Sequence, residues 1–179
     1  MKTQGFMLLI GIILGWAGPS LAQLEVSKIP ETIELKEKDG GCLDGSPWSS
    51  SSLSEKGKVQ VLFYVDPDEK DANTKFEDEL KVKADDEGYE FDSVAVINMA
   101  ATWKPNWIIS SILEGKQKKF PDTLYLKDLK KVLVSKWSLK DDAYNVVIFD
   151  KSGKVVFLKS GVLSAEEMES AYSTIKENM

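Results

Sequence analysis

The chain has 179 residues and a formal net charge of −6; all 23 of its basic residues are lysine, and it has no histidine. Without histidine there is no imidazole base, no His-based triad and no imidazole metal ligand, and without arginine no bidentate fork for phosphate or guanine edges. The acidic balance argues against a nucleic-acid partner, and a lone cysteine, Cys42, excludes an intramolecular disulfide or a Cys-x-x-Cys pair.

The chain opens with Lys2, an apolar run from Phe6 to Trp16, and then Ser20-Leu21-Ala22. The run is short for a bilayer span, and small residues at Ser20 and Ala22 are the pattern of a signal-peptidase site. The expectation is a signal peptide over 1–22, cut after Ala22, with no cysteine behind the cut for a lipid anchor. Loss of Lys2 with the leader takes the charge from −6 to −7. The exported remainder, 23–179, is long enough for one domain with its own core and keeps no membrane span.

Residues 23–38 read as an extended opening segment in which Ile29, Ile33 and Leu35 alternate and Pro30 confines the stretch to an edge. Asp39-Gly40-Gly41-Cys42 reads as a turn, and Ser46 to Ser52 as a loop anchored by Trp48 and Leu53. Val59 to Val65 is a buried strand by its β-branched and aromatic content, ended by Asp66-Pro67. Asn73 or Thr74 can cap the following helix, with Glu77 in the capping-box position, Phe76, Leu80 and Ala84 as its stripe, and Gly88 as its stop. Phe91 to Met99 is a second strand. Pro105 opens a helix to about Lys119 whose apolar face is Ile108, Ile109, Ile112 and Leu113. Thr123–Leu126 and Lys131–Trp137 read as short irregular or extended pieces. Tyr144 to Asp150 is a third strong strand, 151–154 a hairpin turn and 155–159 its partner. Ser164 with Glu167 caps a last helix, with Met168, Ala171, Tyr172 and Ile175 on its buried stripe. This order, a βαβ unit followed by ββα, predicts an α/β protein with a mixed central sheet flanked by helices, the thioredoxin-like arrangement.

Gly57-Lys58-Val59-Gln60-Val61-Leu62, Ile97-Asn98, Ser110 to Glu114, Val146 to Val155 and Lys159 to Glu167 together resemble the YtfJ family. The resemblance runs from about Asp39 to Ile175. It implies a small periplasmic protein of a Gram-negative bacterium with a signal peptide and a thioredoxin-like fold, and it implies no particular activity. Redox members of the wider thioredoxin-like class place Cys-x-x-Cys where the first strand meets its helix, near Asp68 and Asp71 here, and a proline just before the strand that starts near Tyr144. Both are missing. Thiol–disulfide exchange needs a thiolate at that junction, and aspartate cannot supply one.

The loop after the first strand carries Asp66, Asp68, Glu69 and Asp71. Carboxylates can gather a hard cation, but the spacing is not that of a calcium loop, and acids near a helix N-terminus suffice to explain them. No metal site, cofactor or catalytic residue is expected. The segment Thr102-Trp103-Lys104-Pro105-Asn106-Trp107 follows a strand end on the same edge, and its tryptophans are either binding anchors or caps on the core. Charge is uneven: Asp66 to Asp92 carries a net −8 and Lys116 to Lys140 a net +6, which can steer a charged partner or merely solvate two faces. The reading that results is a non-catalytic binding protein whose candidate edge is Asp66, Asp68, Asp71, Thr102, Trp103 and Trp107. Its partner would be a periplasmic protein, a peptide or a small ligand. The alternative is a one-cysteine thiol redox protein acting through Cys42, against which stands the position of Cys42 ahead of the first strand.

Overall fold

The computed structural model describes residues 23–179, so the expected signal peptide lies outside the described residues. The opening segment supplies β1 (Glu34–Leu35), a 3-10 turn (Glu37–Asp39) and β2 (Gly40–Cys42); β3 (Trp48–Ser49) pairs antiparallel with β1, and the one-turn helix α1 (Ser52–Glu55) follows. Then come β4 (Val59–Val65), α2 (Thr74–Glu87), β5 (Phe91–Asn98), α3 (Asn106–Lys119), β6 (Thr123–Asp128), α4 (Val132–Trp137), β7 (Tyr144–Phe149), β8 (Val155–Ser160) and α5 (Ala165–Asn178). The main sheet has the order β2-β6-β5-β4-β7-β8. Strands β4, β5 and β6 are parallel, while β2, β7 and β8 run antiparallel to their neighbours.

Alternation along β4 divides the interior. Val61, Phe63 and Val65 face one layer, with Phe76 and Leu80 of α2, Ile109 and Leu113 of α3, and Met168, Ala171, Tyr172 and Ile175 of α5. Leu62 and Tyr64 face the other, covered by Leu24, Ile33, Leu35, Trp48 and Leu53 from the opening segment and α1, and by Leu133 and Trp137 of α4. Trp48 and Leu53 are thus core anchors, as expected, whereas Ile29 is 65% exposed and takes no part. The expected caps divide likewise. Ser164 accepts from the Glu167 amide, and the Glu167 carboxylate accepts from the Ser164 amide, a complete capping box. Gly88 ends α2 in the left-handed region at φ 71°.

Four expectations are corrected. The Gly40-Gly41 stretch is an edge strand, not only a turn: Gly40 pairs with Asp128 so closely that a Cβ there would lie 1.9 Å from the Lys127 carbonyl oxygen, and its φ of +128° suits glycine alone. Lys131–Trp137 contains a helix, although Val132, Leu133 and Val134 favour strand by propensity. What overrides propensity is Asp128, fully buried at the end of β6. Its carboxylate accepts from the amides of Lys130 (3.1 Å), Val132 (2.9 Å) and Leu133 (3.0 Å), and from the Tyr64 hydroxyl (3.2 Å). Third, Glu77 forms no capping box. Thr74 is already helical, and the Asn73 side chain reaches across to the loop after β8, donating to the Gly161 carbonyl (2.9 Å) and accepting from the Leu163 amide (2.9 Å). On α3, Ile112 is half exposed instead of joining the core with Ile109 and Leu113.

Removing the Asp128 carboxylate leaves three amides and a buried phenol without their acceptor. Asp128→Ala should therefore destabilise the protein by about 3 kcal/mol or more. Urea denaturation monitored by tryptophan fluorescence measures this directly.

Candidate functional site

Because β4, β5 and β6 are parallel, the loops leaving them gather at one edge of the sheet. Asp66 follows β4 and is almost fully buried. Its amide donates to the Ala143 carbonyl (3.1 Å), and its carboxylate accepts from the Asp68 amide (2.8 Å). Burial pushes the Asp66 carboxyl above the usual aspartate value. Its work is to turn the chain inward. Asp68 points the other way: it accepts from the Thr102 hydroxyl (3.0 Å) and forms an ion pair with Lys104, tying the loop after β4 to the loop after β5. The Lys104 pair and then the Thr102 hydroxyl lower the Asp68 carboxyl below its usual value. Asp71 is exposed and, among the described residues, its carboxylate pairs only with its neighbour Lys70.

The loop so tied and the first turn of α3 present one tryptophan each to solvent. Trp103 is 86% and Trp107 73% exposed, so neither caps the core. The Lys104 ammonium, already held by Asp68, lies 6.0 Å from the Trp103 ring centroid. Six candidate residues thus occupy one edge, but only Asp68, Thr102 and the tryptophans form its outer surface together. Cys42 sits elsewhere. It is half-buried on β2, paired with Leu126, and strands β6 and β5 separate it from β4. The residue preceding Tyr144 is Ala143. Among the described residues, no three carboxylate or thiol side chains converge as a metal site.

Two features were not legible as site elements. One is a polar network below the edge that starts at the buried Asn98. The Asn98 amide nitrogen donates to Asp141 (2.8 Å), whose other oxygen takes Lys131 (2.5 Å), while the Asn98 amide oxygen has no partner among the described residues. The other is a cleft of about 580 Å³ between α2 and α3, running over β4, β5 and β6. Its floor includes Phe63, Ala95, Ile97 and Tyr125, and it holds Glu77, which accepts a hydrogen bond from the Tyr144 hydroxyl. Water reaches Glu77 along the cleft, yet the walls strip enough of its hydration to raise its pKa above 4.5, an effect the Tyr144 bond and Lys116 only partly offset. Burial also pushes Tyr125 up to about 12, so it stays a neutral phenol. The signal for Glu77 lay in its place one turn ahead of Leu80 and Lys81, but the capping-box spacing to Thr74 offered a simpler use for it.

The sheet order and the helices stacked on it define a thioredoxin-like fold. The pneumococcal exposed lipoprotein thioredoxin Etrx1 from Streptococcus pneumoniae superposes with a TM-score of 0.57 at 19% identity, over 82% of this chain and 99% of that one. The thioredoxin domain of a thiol-disulfide oxidoreductase from Bacteroides vulgatus gives 0.55 at 12% identity, over 88% and 100%. At such identities the likeness shows the fold alone. The chain belongs to the family described as "Bacterial protein of unknown function (YtfJ_HI0045)", whose model matches residues 20–178. An uncharacterized Haemophilus influenzae protein is 27% identical over 187 residues, 98% of this chain and 97% of that one. The uncharacterized Escherichia coli protein YtfJ is 26% identical over 133 residues, 73% and 71% of the two chains.

A carboxyl whose pKa is raised on folding favours the folded state most when protonated, so ionised Glu77 costs stability at neutral pH. Glu77→Gln keeps an acceptor for Tyr144 without the charge. Its melting temperature should exceed that of the parent at neutral pH, and the gap should close as pH falls through the raised pKa toward 4.5. Calorimetric melts across that range read the effect.

Proposed function

We propose that this protein is an exported thioredoxin-like binding domain that has given up thiol chemistry and engages a protein or peptide partner through its Asp68–Trp107 edge. In this reading residues 1–22 are a signal peptide cut after Ala22, and residues 23–179 form one periplasmic domain. No helix among the described residues is long and apolar enough to cross a membrane. One observation carries the binding reading: Trp103, on a loop tied to Asp68 through Thr102 and Lys104, and Trp107, in the first turn of α3, lie 86% and 73% exposed. Exposed tryptophan on a backbone already tied in place supplies a large contact area at a low backbone ordering cost. Asp66 supports the edge from within, and Asp71 borders it with an exposed charge.

A second reading, single-thiol redox chemistry at Cys42, draws support from the thiol-disulfide proteins among the structural neighbours. Against it stand the placement of Cys42 on β2 and the occupation of the redox junction by Asp68 and Asp71.

Trp103→Ala and Trp107→Ala should leave the free energy of unfolding from urea melts within about 0.5 kcal/mol of the parent, because neither ring is buried. Each should weaken partner capture at least tenfold, as about 2 kcal/mol is usual for such anchors. Capture undiminished in the double variant would remove this edge from the binding surface.

A further inference from the structure

The α2–α3 cleft is separate from the tryptophan edge, although it opens toward it at Pro67 and Lys104. Its volume of about 580 Å³ lies within the roughly 300–1,000 Å³ of small-molecule sites. Both Phe91 and Ile97, six residues apart on β5, line it. At about 3.3 Å per residue it therefore extends for roughly 20 Å along the strand. The lining is chiefly apolar, and Ile112 of α3, half exposed, belongs to it. A hydrophobic helix position left open beside an apolar floor is a surface with room for an apolar body.

The polar groups decide what that body must carry. Of the lysines on the cleft, Lys70 and Lys104 are engaged by Asp71 and Asp68. Lys116 is half-buried and, among the described residues, its ammonium has neither a hydrogen-bond acceptor nor a carboxylate within ion-pair distance; it lies near enough to Glu77 to lower that residue's pKa. Glu77, one of four carboxylates along the cleft and water-accessible like the others, already has a partner in Tyr144. Asp78, Asp85 and Asp122 also line the cleft and are exposed, so water solvates them. The half-buried charge of the cleft that has no protein partner among the described residues is thus a cation. At the far mouth, Lys81 and Lys119 stand 5.8 and 5.0 Å from the Phe120 ring centroid, adding positive charge over an apolar surface. An inserted peptide would fit poorly, because its backbone amides would find few partners along this floor.

We propose that the α2–α3 cleft binds an elongated apolar molecule bearing one carboxylate, with Lys116 meeting the carboxylate and Phe63, Ala95, Ile97 and Ile112 enclosing the chain. Glu77 opposes a second negative charge in the cleft and sets the upper limit on affinity. This site and the tryptophan edge can fail independently.

Calorimetric titration of the intact protein with dodecanoate, kept below its own aggregation concentration, tests the site, with dodecanol as the uncharged probe. The parent should bind dodecanoate saturably at one site and about tenfold or more tighter than dodecanol. Lys116→Gln, an exchange at a residue with no structural partner, should lose that preference while still binding dodecanol. Glu77→Gln should bind dodecanoate tighter than the parent, and the Trp103→Ala/Trp107→Ala double variant should bind it unchanged. Absence of saturable dodecanoate binding, or an undiminished preference in Lys116→Gln, would overturn the proposal. So would Lys116-dependent sedimentation with phosphatidylglycerol vesicles in a protein that ignores free dodecanoate, since the ligand would then be a membrane surface.

Discussion

Every residue of β4 from Val59 to Val65 is buried, and that single constraint arranges the rest of the molecule. A strand so enclosed needs partners on both edges and cover on both faces. β5 and β7 supply the edges, one parallel and one antiparallel. The three longer helices cover one face, and the opening segment with α4 covers the other. Parallel pairing with β5, and of β5 with β6, then forces three loops to leave from the same end. The meeting of Asp68 with Thr102 and Lys104 follows from that geometry, as does the stacking of α2 and α3 above the same strands with a cleft between them.

The junction where thioredoxin-like redox proteins hold a reactive pair is here used for loop architecture. Asp66 shapes the turn, Asp68 ties two loops together, and Asp71 stays at the surface. Carboxylates committed to hydrogen bonds and an ion pair cannot attack a disulfide, but they can hold neighbouring side chains still. What they hold still is a segment with two exposed indole rings. The same exchange marks the second face, where Tyr64 donates to Asp128 and stays protonated because burial and the adjacent carboxylate raise its phenol far above the usual range. That bond fixes the end of β6 against β4, and the same carboxylate, by accepting the Val132 and Leu133 amides, starts α4.

Strong local patterns were legible in the sequence. β4 and β7 declared themselves by composition, α5 by its capping box, and α2 by its stripe and terminal glycine. The tryptophan segment was recognisable as a candidate, but its exposure was not, since Trp at a strand end serves a core as readily as a surface. Elements that depend on distant partners were hidden. Gly40 and Gly41 look like a turn until Lys127 and Asp128 lie beside them, and Val132 to Val134 look like a strand until Asp128 caps them. Glu77 was ambiguous for a different reason: Thr74 offered a local use, while its actual partner, Tyr144, is 67 residues away. The cleft, being a space between two helices, had no sequence signal of its own.

The most direct test of binding without thiol chemistry compares the tagged protein and its Cys42→Ser variant, each captured from the envelope of its native cells and run on reducing and non-reducing gels. A binding domain predicts the same partner bands from both proteins, in equal yield, with none that depends on omitting the reductant. A partner joined to the parent only under non-reducing conditions, and absent from Cys42→Ser, would contradict it and place the chemistry at Cys42.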